Sequence, residues 1–171
     1  MKIMGVDPSL SATGMVLFSG DKKYKLSDYC VILTKPSWDY GTRYRHILKE
    51  FSKFFERTSP DFIVLEDVDF RPIVTRQAQA YVFGSLAVIL ASIPETVGYY
   101  LVKKYVVNQK LGFIERGKKR TAKQVKERVK RAYNDILKKV DVSNDLQEHL
   151  ADAIALVDYY LKEIGNGSIE G

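Results

Sequence analysis

The feature that most constrains the fold of this chain is its first eighteen residues. Apolar runs at 2–6 and 15–18 have the pattern of two strands, and a turn built of Pro, Ser, Thr and Gly lies between them. Pro8 stops the ladder of the first strand, and Gly14 permits the backbone of a tight reversal. The pattern predicts a β-hairpin with Asp7 where the first strand ends. Asp7 is then either a turn residue bonded to its own backbone or an anionic ligand that faces a cleft.

A second acidic residue follows at the end of a later strand. An amphipathic helix predicted at 40–57 precedes a short apolar strand at 61–68. Because this strand follows a helix, we expect it to lie parallel to the first strand, with both carboxyl ends at one edge of the sheet. Strand periodicity turns Glu66 and Asp67 to opposite faces, so only one of them can share a cleft with Asp7.

The periodicity of the whole chain predicts one α/β domain at 1–164. Its mixed sheet has five strands: an antiparallel meander of three and two further strands at 61–68 and 99–107, the first of them parallel to the opening strand. The helices that flank this sheet are predicted at 40–57, 77–93, 122–140 (capped by Thr121) and from 144–145 to 163. The composition of 165–171, rich in Gly, Ser and Asn, predicts a flexible C-terminal tail.

The positive charge of the chain is concentrated in one segment. The formal net charge is +6, but residues 102–139 hold fourteen Lys or Arg against three acids, a local charge of +11 that leaves −5 for the remainder. A basic segment on a mildly acidic body is typical of a surface that binds a polyanion. The alternative is a charged helix that is simply solvated.

Composition and motifs exclude several classes of protein. The single cysteine, Cys30, excludes an intramolecular disulfide and fits a reducing compartment. The longest nearly apolar run, at 81–93, is too short to cross a bilayer, and the N-terminus lacks the pattern of a secretory signal. The chain has no CxxC pair, Walker loop or GxSxG elbow, so zinc ribbons, P-loop NTPases and serine hydrolases are not expected.

The last predicted helix carries a histidine and an aspartate on one face. His149 and Asp152 are three residues apart, and Asp152 stands among apolar residues. A buried carboxylate is costly unless it is paired with a lysine or binds a cation. Together with Asp7 and Glu66, it forms a set of hard oxygen donors that suits Mg²⁺. A pair of such ions, joined to a basic surface, points to the hydrolysis of nucleic-acid phosphodiesters.

These motifs resemble those of the RuvC family of Holliday-junction resolvases, within the RNase H-like superfamily. The resemblance runs from about 2 to 160, and its carriers are the residues at 5–9, 13–14, 64–66, 122–125 and 149–155. It implies an RNase H-like fold and a metal-dependent, structure-selective endonuclease of DNA recombination and repair. Such an enzyme cuts four-way junctions and related branched DNA as a homodimer, in the cytoplasm of a bacterium or a phage-infected host. The small Tyr- and Lys-rich chain is similar to phage-encoded members.

The family pattern assigns roles to individual residues of this chain. The implied ligands of two Mg²⁺ or Mn²⁺ ions are Asp7, Glu66, Asp152 and His149. The imidazole of His149 suits Mn²⁺ better, and its alternative role is proton transfer. Lys123, and less clearly Lys110, matches the functional lysine of the family, while Ser9 departs from its usual glycine. The expected DNA contacts are Phe70 (the aromatic wedge), Arg71, Lys110, Arg116, Lys118, Lys119, Arg120, Lys123 and Lys126.

Two other functions remain open from the sequence. One stays within the superfamily: a ribonuclease H-type enzyme that cleaves RNA–DNA hybrids. The other is a non-catalytic nucleic-acid-binding protein on a decayed RNase H-like fold, against which the retention of the three carboxylates argues.

Overall fold

The computed structural model describes residues 1–68, 76–115 and 121–170. The elements within these ranges are β1 (Lys2–Asp7), β2 (Ala12–Gly20), β3 (Lys23–Leu33), α1 (Tyr40–Thr58), β4 (Phe62–Asp67), α2 (Arg76–Leu90), β5 (Gly98–Lys103), α3 (Lys104–Lys110), α4 (Ala122–Ala132), α5 (Asn134–Leu137), α6 (Gln147–Glu163) and β6 (Ser168–Ile169). The strands form one sheet in the order β5-β4-β1-β2-β3-β6.

The sheet combines an antiparallel meander with parallel strands, which confirms the predicted α/β class. The meander is β1-β2-β3, and β4 and β5 lie parallel to β1 on its other side. Val6 of β1 pairs with Leu65 of β4, so the next residue on each strand, Asp7 and Glu66, reaches the same edge. The described sheet has six strands rather than the five predicted.

The additional strand comes from the segment that composition predicts to be a flexible tail. Ser168 and Ile169 pair in parallel with Lys23 and Tyr24 at the outer edge of β3. The carboxylate of Glu170 lies 3.4 Å from Lys23 Nζ and also contacts Lys25. The reason is that an edge strand offers unpaired backbone groups, and a short polar segment of opposite charge can satisfy them. Composition alone does not encode that pairing.

The alternating side chains of the strands divide the core into two layers. Residues such as Met4, Val6 and Ile63 pack beneath α1 and α2. Residues of the other phase, including Ile3 and Val64, pack beneath the helices of the C-terminal half. Asp7 and Glu66 share the phase of Ile3 and Val64, so period-two geometry points them toward the C-terminal helices.

Helix α6 lies directly on the sheet because two glycines face it. A Cβ added at Gly5 would collide with the backbone carbonyl of Ala153, and one added at Gly14 with that of His149. The backbone of α6 therefore contacts β1 and β2 without intervening side chains. This close approach brings the residues of α6 to the ends of those strands.

Two predicted elements end at least four residues earlier than their periodicity indicates. The strand predicted at 99–107 ends at Lys103, and the chain continues as α3. The helix predicted at 122–140 starts as expected, with Thr121 and Gln124 in a capping box, but breaks at Tyr133. The Tyr133 hydroxyl there donates a hydrogen bond of 2.8 Å to Asp158 of α6. In the part of the chain that the structure describes, no helix has the length and apolar character needed to span a bilayer.

Candidate active site

Three carboxylates from three separate elements meet around one lysine. Asp7 ends β1, Glu66 lies near the end of β4, and Asp152 lies on α6. The Nζ atom of Lys104 is 2.6 Å from Asp152 Oδ2, 3.4 Å from Glu66 Oε2 and 3.6 Å from Asp7 Oδ1. The carboxylates are largely buried, while about one third of the Lys104 side chain, 33%, is exposed.

Each member of this cluster is placed by a local feature of the fold. The parallel register of β1 and β4 sets Asp7 beside Glu66. The glycine contacts of α6 bring Asp152 over the same edge. Strand β5 runs parallel to β4 with Lys103 opposite Asp67, so Lys104 follows just beyond the end of the strand pair. The cluster therefore lies where ligand sites of open α/β sheets are found, at the carboxyl ends of the strands.

His149 joins the cluster from the turn of α6 before Asp152. Its Nδ1 atom lies 3.5 Å from Asp7 Oδ2, and 26% of its side chain is exposed. The surrounding cleft is also lined by Pro8, Ser9, Val82 and Lys126. The structure thus brings together the four residues that the sequence analysis names as ligands.

Opposing shifts of pKa mark the cluster as a site with excess negative charge. Burial would raise the pKa of Asp7, but Lys104 and His149 outweigh it and hold this pKa well below the usual range. Burial raises the pKa of Glu66 well above its usual range; Lys104 opposes the shift, and Asp7 adds to it. Burial also raises the pKa of Asp152 despite Lys104. One lysine therefore does not neutralise three buried carboxylates, and Glu66 holds a proton most readily.

The electrostatic balance on Lys104 is the reverse of that on Glu66. Burial would lower the pKa of its ammonium, but the three carboxylates outweigh burial and hold this pKa well above its usual range. Lys104 is therefore a permanent positive charge at the centre of the cluster.

Comparisons of sequence find curated proteins that are similar to this chain. No family model matches the chain. The crossover junction endodeoxyribonuclease RuvC of Fusobacterium nucleatum is 30% identical over 69 residues, which are 40% of this chain and 36% of that protein. The protein of the same name from Ruminiclostridium cellulolyticum is 28% identical over 156 residues, 90% of each chain. The second similarity extends along nearly the whole chain and supports the resemblance to the RuvC family.

Solved structures of similar fold include members of the same family. RuvC of Thermus thermophilus in complex with Holliday junction substrate has a TM-score of 0.70 at 20% identity, over 98% of this chain and 99% of that one. The yeast mitochondrial Holliday junction resolvase Ydc2 has a TM-score of 0.62 at 11% identity, over 94% of this chain and 77% of that one. The fold of this chain is therefore shared with these proteins along nearly its whole length.

The residues expected to contact DNA differ in their distance from the cleft. Lys126 of α4 lines the cleft, with its Nζ atom 3.0 Å from Glu148 Oε2. Lys123 is exposed on the first turn of α4 and is not among the residues that line the cleft. Lys110 is held 2.9 Å from Glu163 at the far end of α6. The remaining candidates, Phe70, Arg71, Arg116, Lys118, Lys119 and Arg120, lie outside the described residues.

Lys104 is the site residue that the sequence analysis missed. The resemblance to the RuvC family implies a functional lysine at Lys123 or Lys110, and the structure adds Lys104, whose ammonium lies among the carboxylates. A signal was present, because a strand parallel to β4 carries its last residues to the edge where Glu66 lies. Lys103 and Lys104 are adjacent at the end of that strand, so the sequence allows one of them to lie beside the carboxylates.

The donors fit a divalent metal by their chemistry, although the side chains now surround an ammonium. Carboxylate oxygens of Asp7, Glu66 and Asp152 are the donors that hard cations prefer, and His149 adds a nitrogen. They already converge on one positive charge, at Lys104 Nζ. Within 1–68, 76–115 and 121–170, no three Asp, Glu, His or Cys side chains are arranged to hold an ion as they stand. A metal ion would require the side chains to move around the position of Lys104.

Proposed function

We propose that this chain is a metal-dependent endonuclease that resolves Holliday junctions and related branched DNA by hydrolysing phosphodiesters. The observation that carries the proposal is the convergence of three buried carboxylates and an imidazole, from three elements, at the sheet edge. A structural ion pair would need one acid for one lysine. Similarity to a crossover junction endodeoxyribonuclease over 90% of the chain supports the choice of substrate. The bacterial origin of the similar sequences supports action in the cytoplasm of a bacterium or of a phage-infected host.

Individual side chains would divide the work between holding the metal and moving protons. Asp7, Glu66 and Asp152 would hold Mg²⁺ or Mn²⁺, in a pair, and the ions would activate water and stabilise the leaving oxygen. His149 would complete the ligand set or transfer a proton at Nδ1, the atom nearest Asp7. Burial of the three acids keeps bulk water from screening their charges, which strengthens their hold on a cation.

The basic face beside the cleft would bind the phosphates of the junction. Lys126 lies at the cleft itself, and Lys123 is exposed one turn earlier on the same helix, α4. Phosphate contacts by such side chains supply most of the affinity and are weakened by salt. This face would orient a junction arm so that one strand enters the cleft beside Asp7.

A homodimer would match the symmetry of the substrate. A four-way junction has two-fold symmetry, and two identical subunits can place an active site on each of two opposed strands. Phe83 of α2 is 55% exposed and Tyr40 of α1 is 48% exposed, and both belong to the same helical layer. We infer that this layer contains the subunit contact.

The experiment that tests this function is cleavage of a labelled four-way junction. Wild-type protein should produce symmetric nicks with Mg²⁺ or Mn²⁺ and none with EDTA. Asp7→Asn should abolish cleavage but retain binding, because binding depends on phosphate contacts rather than on the ligand charge. Asp21→Asn, at the exposed β2–β3 turn, is the matched control and should cleave normally.

A second substrate separates this function from its alternatives. An RNA–DNA hybrid duplex should be cut poorly or not at all under the same conditions. Preferential cleavage of the hybrid would favour a ribonuclease H-type enzyme. Junction binding without cleavage by any metal would favour a non-catalytic binding protein, and normal turnover by Asp7→Asn would remove Asp7 from the site.

A further inference from the structure

We infer that Lys104 is a built-in substitute for the metal: its ammonium occupies the position of the cation and must leave before a divalent ion can bind. This inference rests on the proposed metal-dependent function and adds a competition within the site. The metal-free cluster would then be partly neutralised by the protein itself. The affinity for metal would include the free energy needed to expel Lys104.

The distances show that the ammonium and a metal ion compete for the same oxygen atoms. Lys104 Nζ contacts Asp152 at 2.6 Å and lies within 3.6 Å of both Glu66 and Asp7. A Mg²⁺ ion takes carboxylate oxygens at about 2.1 Å, so an ion held by these carboxylates would lie almost in contact with Nζ. Two cations at that separation repel strongly in a buried site. Binding of one therefore excludes the other.

The position of Lys104 in the chain allows its side chain to leave. Lys104 begins α3, just beyond the end of β5, and one third of its side chain is exposed. A lysine has a flexible four-carbon stem, so Nζ can swing outward without moving the backbone. The carboxylates, in contrast, are attached to β1, β4 and α6 in the centre of the fold. The lysine is therefore the mobile partner and the acids are the fixed one.

The neighbouring lysine provides a matched control. Lys103 is exposed, carries the same charge and pairs with Asp67 across β4 and β5, so it lies on the opposite face of the sheet from Glu66. Lys103→Met changes the net charge of the protein as Lys104→Met does, but leaves the carboxylate cluster intact. A difference in Mn²⁺ affinity between the two variants is then caused by the position of the lost charge and not by the change in net charge.

The test is direct measurement of Mn²⁺ binding without DNA, by electron paramagnetic resonance of the free ion. Lys104→Met should bind Mn²⁺ at least about tenfold more tightly than Lys103→Met, because a positive charge in contact with the ion is removed. Lys104→Arg keeps a permanent charge there and should bind no more tightly than wild type. In thermal unfolding, Lys104→Met should be destabilised without metal and should gain more from added Mn²⁺ than wild type does.

The outcomes distinguish this inference from the proposed function. Equal Mn²⁺ affinity of Lys104→Met and Lys103→Met would contradict the inference that the Lys104 ammonium takes the place of the metal ion. It would leave the proposal of a metal site unaffected. Absence of Mn²⁺ binding in every variant, or binding that Asp7→Asn does not weaken, would overturn the metal site and with it this inference. If Lys104→Met folds only with Mn²⁺ present, the ion is replacing the lysine as proposed. If Lys104→Met does not fold with or without Mn²⁺, the Mn²⁺ affinity of Lys104→Gln is compared with that of Lys103→Met instead, and equal affinities would overturn the inference.

Discussion

Helix α6 carries two buried aspartates that differ in what surrounds them. Asp152 lies 2.6 Å from Lys104, and Asp158, less than two turns further along, lies 2.8 Å from Lys162. Both are at most 7% exposed. By burial and by the presence of a lysine they are equivalent.

Their neighbours separate them. Asp158 receives hydrogen bonds from Lys162, four residues away on the same helix, and from Tyr133, so one acid faces one cation and one hydroxyl. Asp152 shares its lysine with Asp7 and Glu66, so three acids face one cation. A buried aspartate with a partner of its own stabilises the fold. One that lacks a full share of positive charge needs another cation, and that shortage is what marks the functional site.

The sharpest test of this comparison is cleavage by the two asparagine variants. Asp152→Asn should lower junction cleavage by at least roughly 10³-fold, because several kcal/mol of metal-mediated transition-state stabilisation is lost. Asp158→Asn should cleave within a fewfold of wild type. Single-turnover rates with saturating metal measure both. Comparable losses in the two variants would mean that the distinction between the clusters is wrong.

Stability should change in the opposite direction in the same two variants. Asp158→Asn should lower the free energy of unfolding by about 1–3 kcal/mol, since Tyr133 and Lys162 lose a charged acceptor. Asp152→Asn in metal-free protein should raise it, because the raised pKa of Asp152 means that its ionised form is disfavoured in the fold. Urea unfolding at neutral pH with EDTA provides the measurement. A loss of stability in Asp152→Asn would indicate an ordinary structural ion pair.

His149 provides a smaller test at the same cluster. His149→Asp adds a fourth carboxylate, so a ligand role predicts retained cleavage with a shift in preference from Mn²⁺ toward Mg²⁺ of about tenfold. A proton-transfer role predicts instead a moved acid limb of the pH–rate profile with little change of metal preference. His46→Asp, at the other histidine of the chain, is the control. Full activity of His149→Ala with either metal would exclude both roles.

The smallest expected effect is at the second cluster and depends on pH. Burial, and then the charge of Asp158, raises the pKa of Tyr133 far above its ordinary value of 10.0. A group whose pKa is raised on folding contributes stability that is fully present below its unfolded pKa and is lost as the pH rises. The stability difference between wild type and Tyr133→Phe should therefore fall above about pH 10, by up to roughly 1.4 kcal/mol per pH unit. A constant difference at pH 9 to 10.5 would contradict this.

The acid pair of the site was predictable from the sequence because its cause is local. An apolar run that ends in an acid, repeated on two strands of parallel direction, fixes both the edge and the face of Asp7 and Glu66. The spacing of His149 and Asp152 likewise follows from the helical period. These predictions needed only periodicity and the order of the elements, whereas the choice of Glu66 over Asp67 came from the resemblance to the RuvC family.

Lys104 was not predictable in the same way, because its position depends on where one strand stops. Lys103 and Lys104 are adjacent, and a shift of one residue exchanges the faces to which they point. The strand gives way to α3 after Lys103, and Val107 of this helix is buried in the core. Because the packing of Val107 depends on tertiary contacts, sequence periodicity does not show it. The periodicity therefore predicts a strand that is too long. The break at Tyr133 has the same origin, since its hydrogen-bond partner lies 25 residues away.

The glycines beneath α6 fix the distance between the helix and the sheet, and with it the relative positions of the site residues. At Gly5 and Gly14 the helix meets the sheet backbone to backbone, with no rotamer able to adjust the gap. Asp7 and Asp152 therefore form a rigid wall of the cleft. A methyl group added at Gly5 or Gly14 would push α6 away from the sheet and change the distance between these two carboxylates. Any adaptation to ions of different radius must come from the opposite wall, where Glu66 and Lys104 stand on longer side chains.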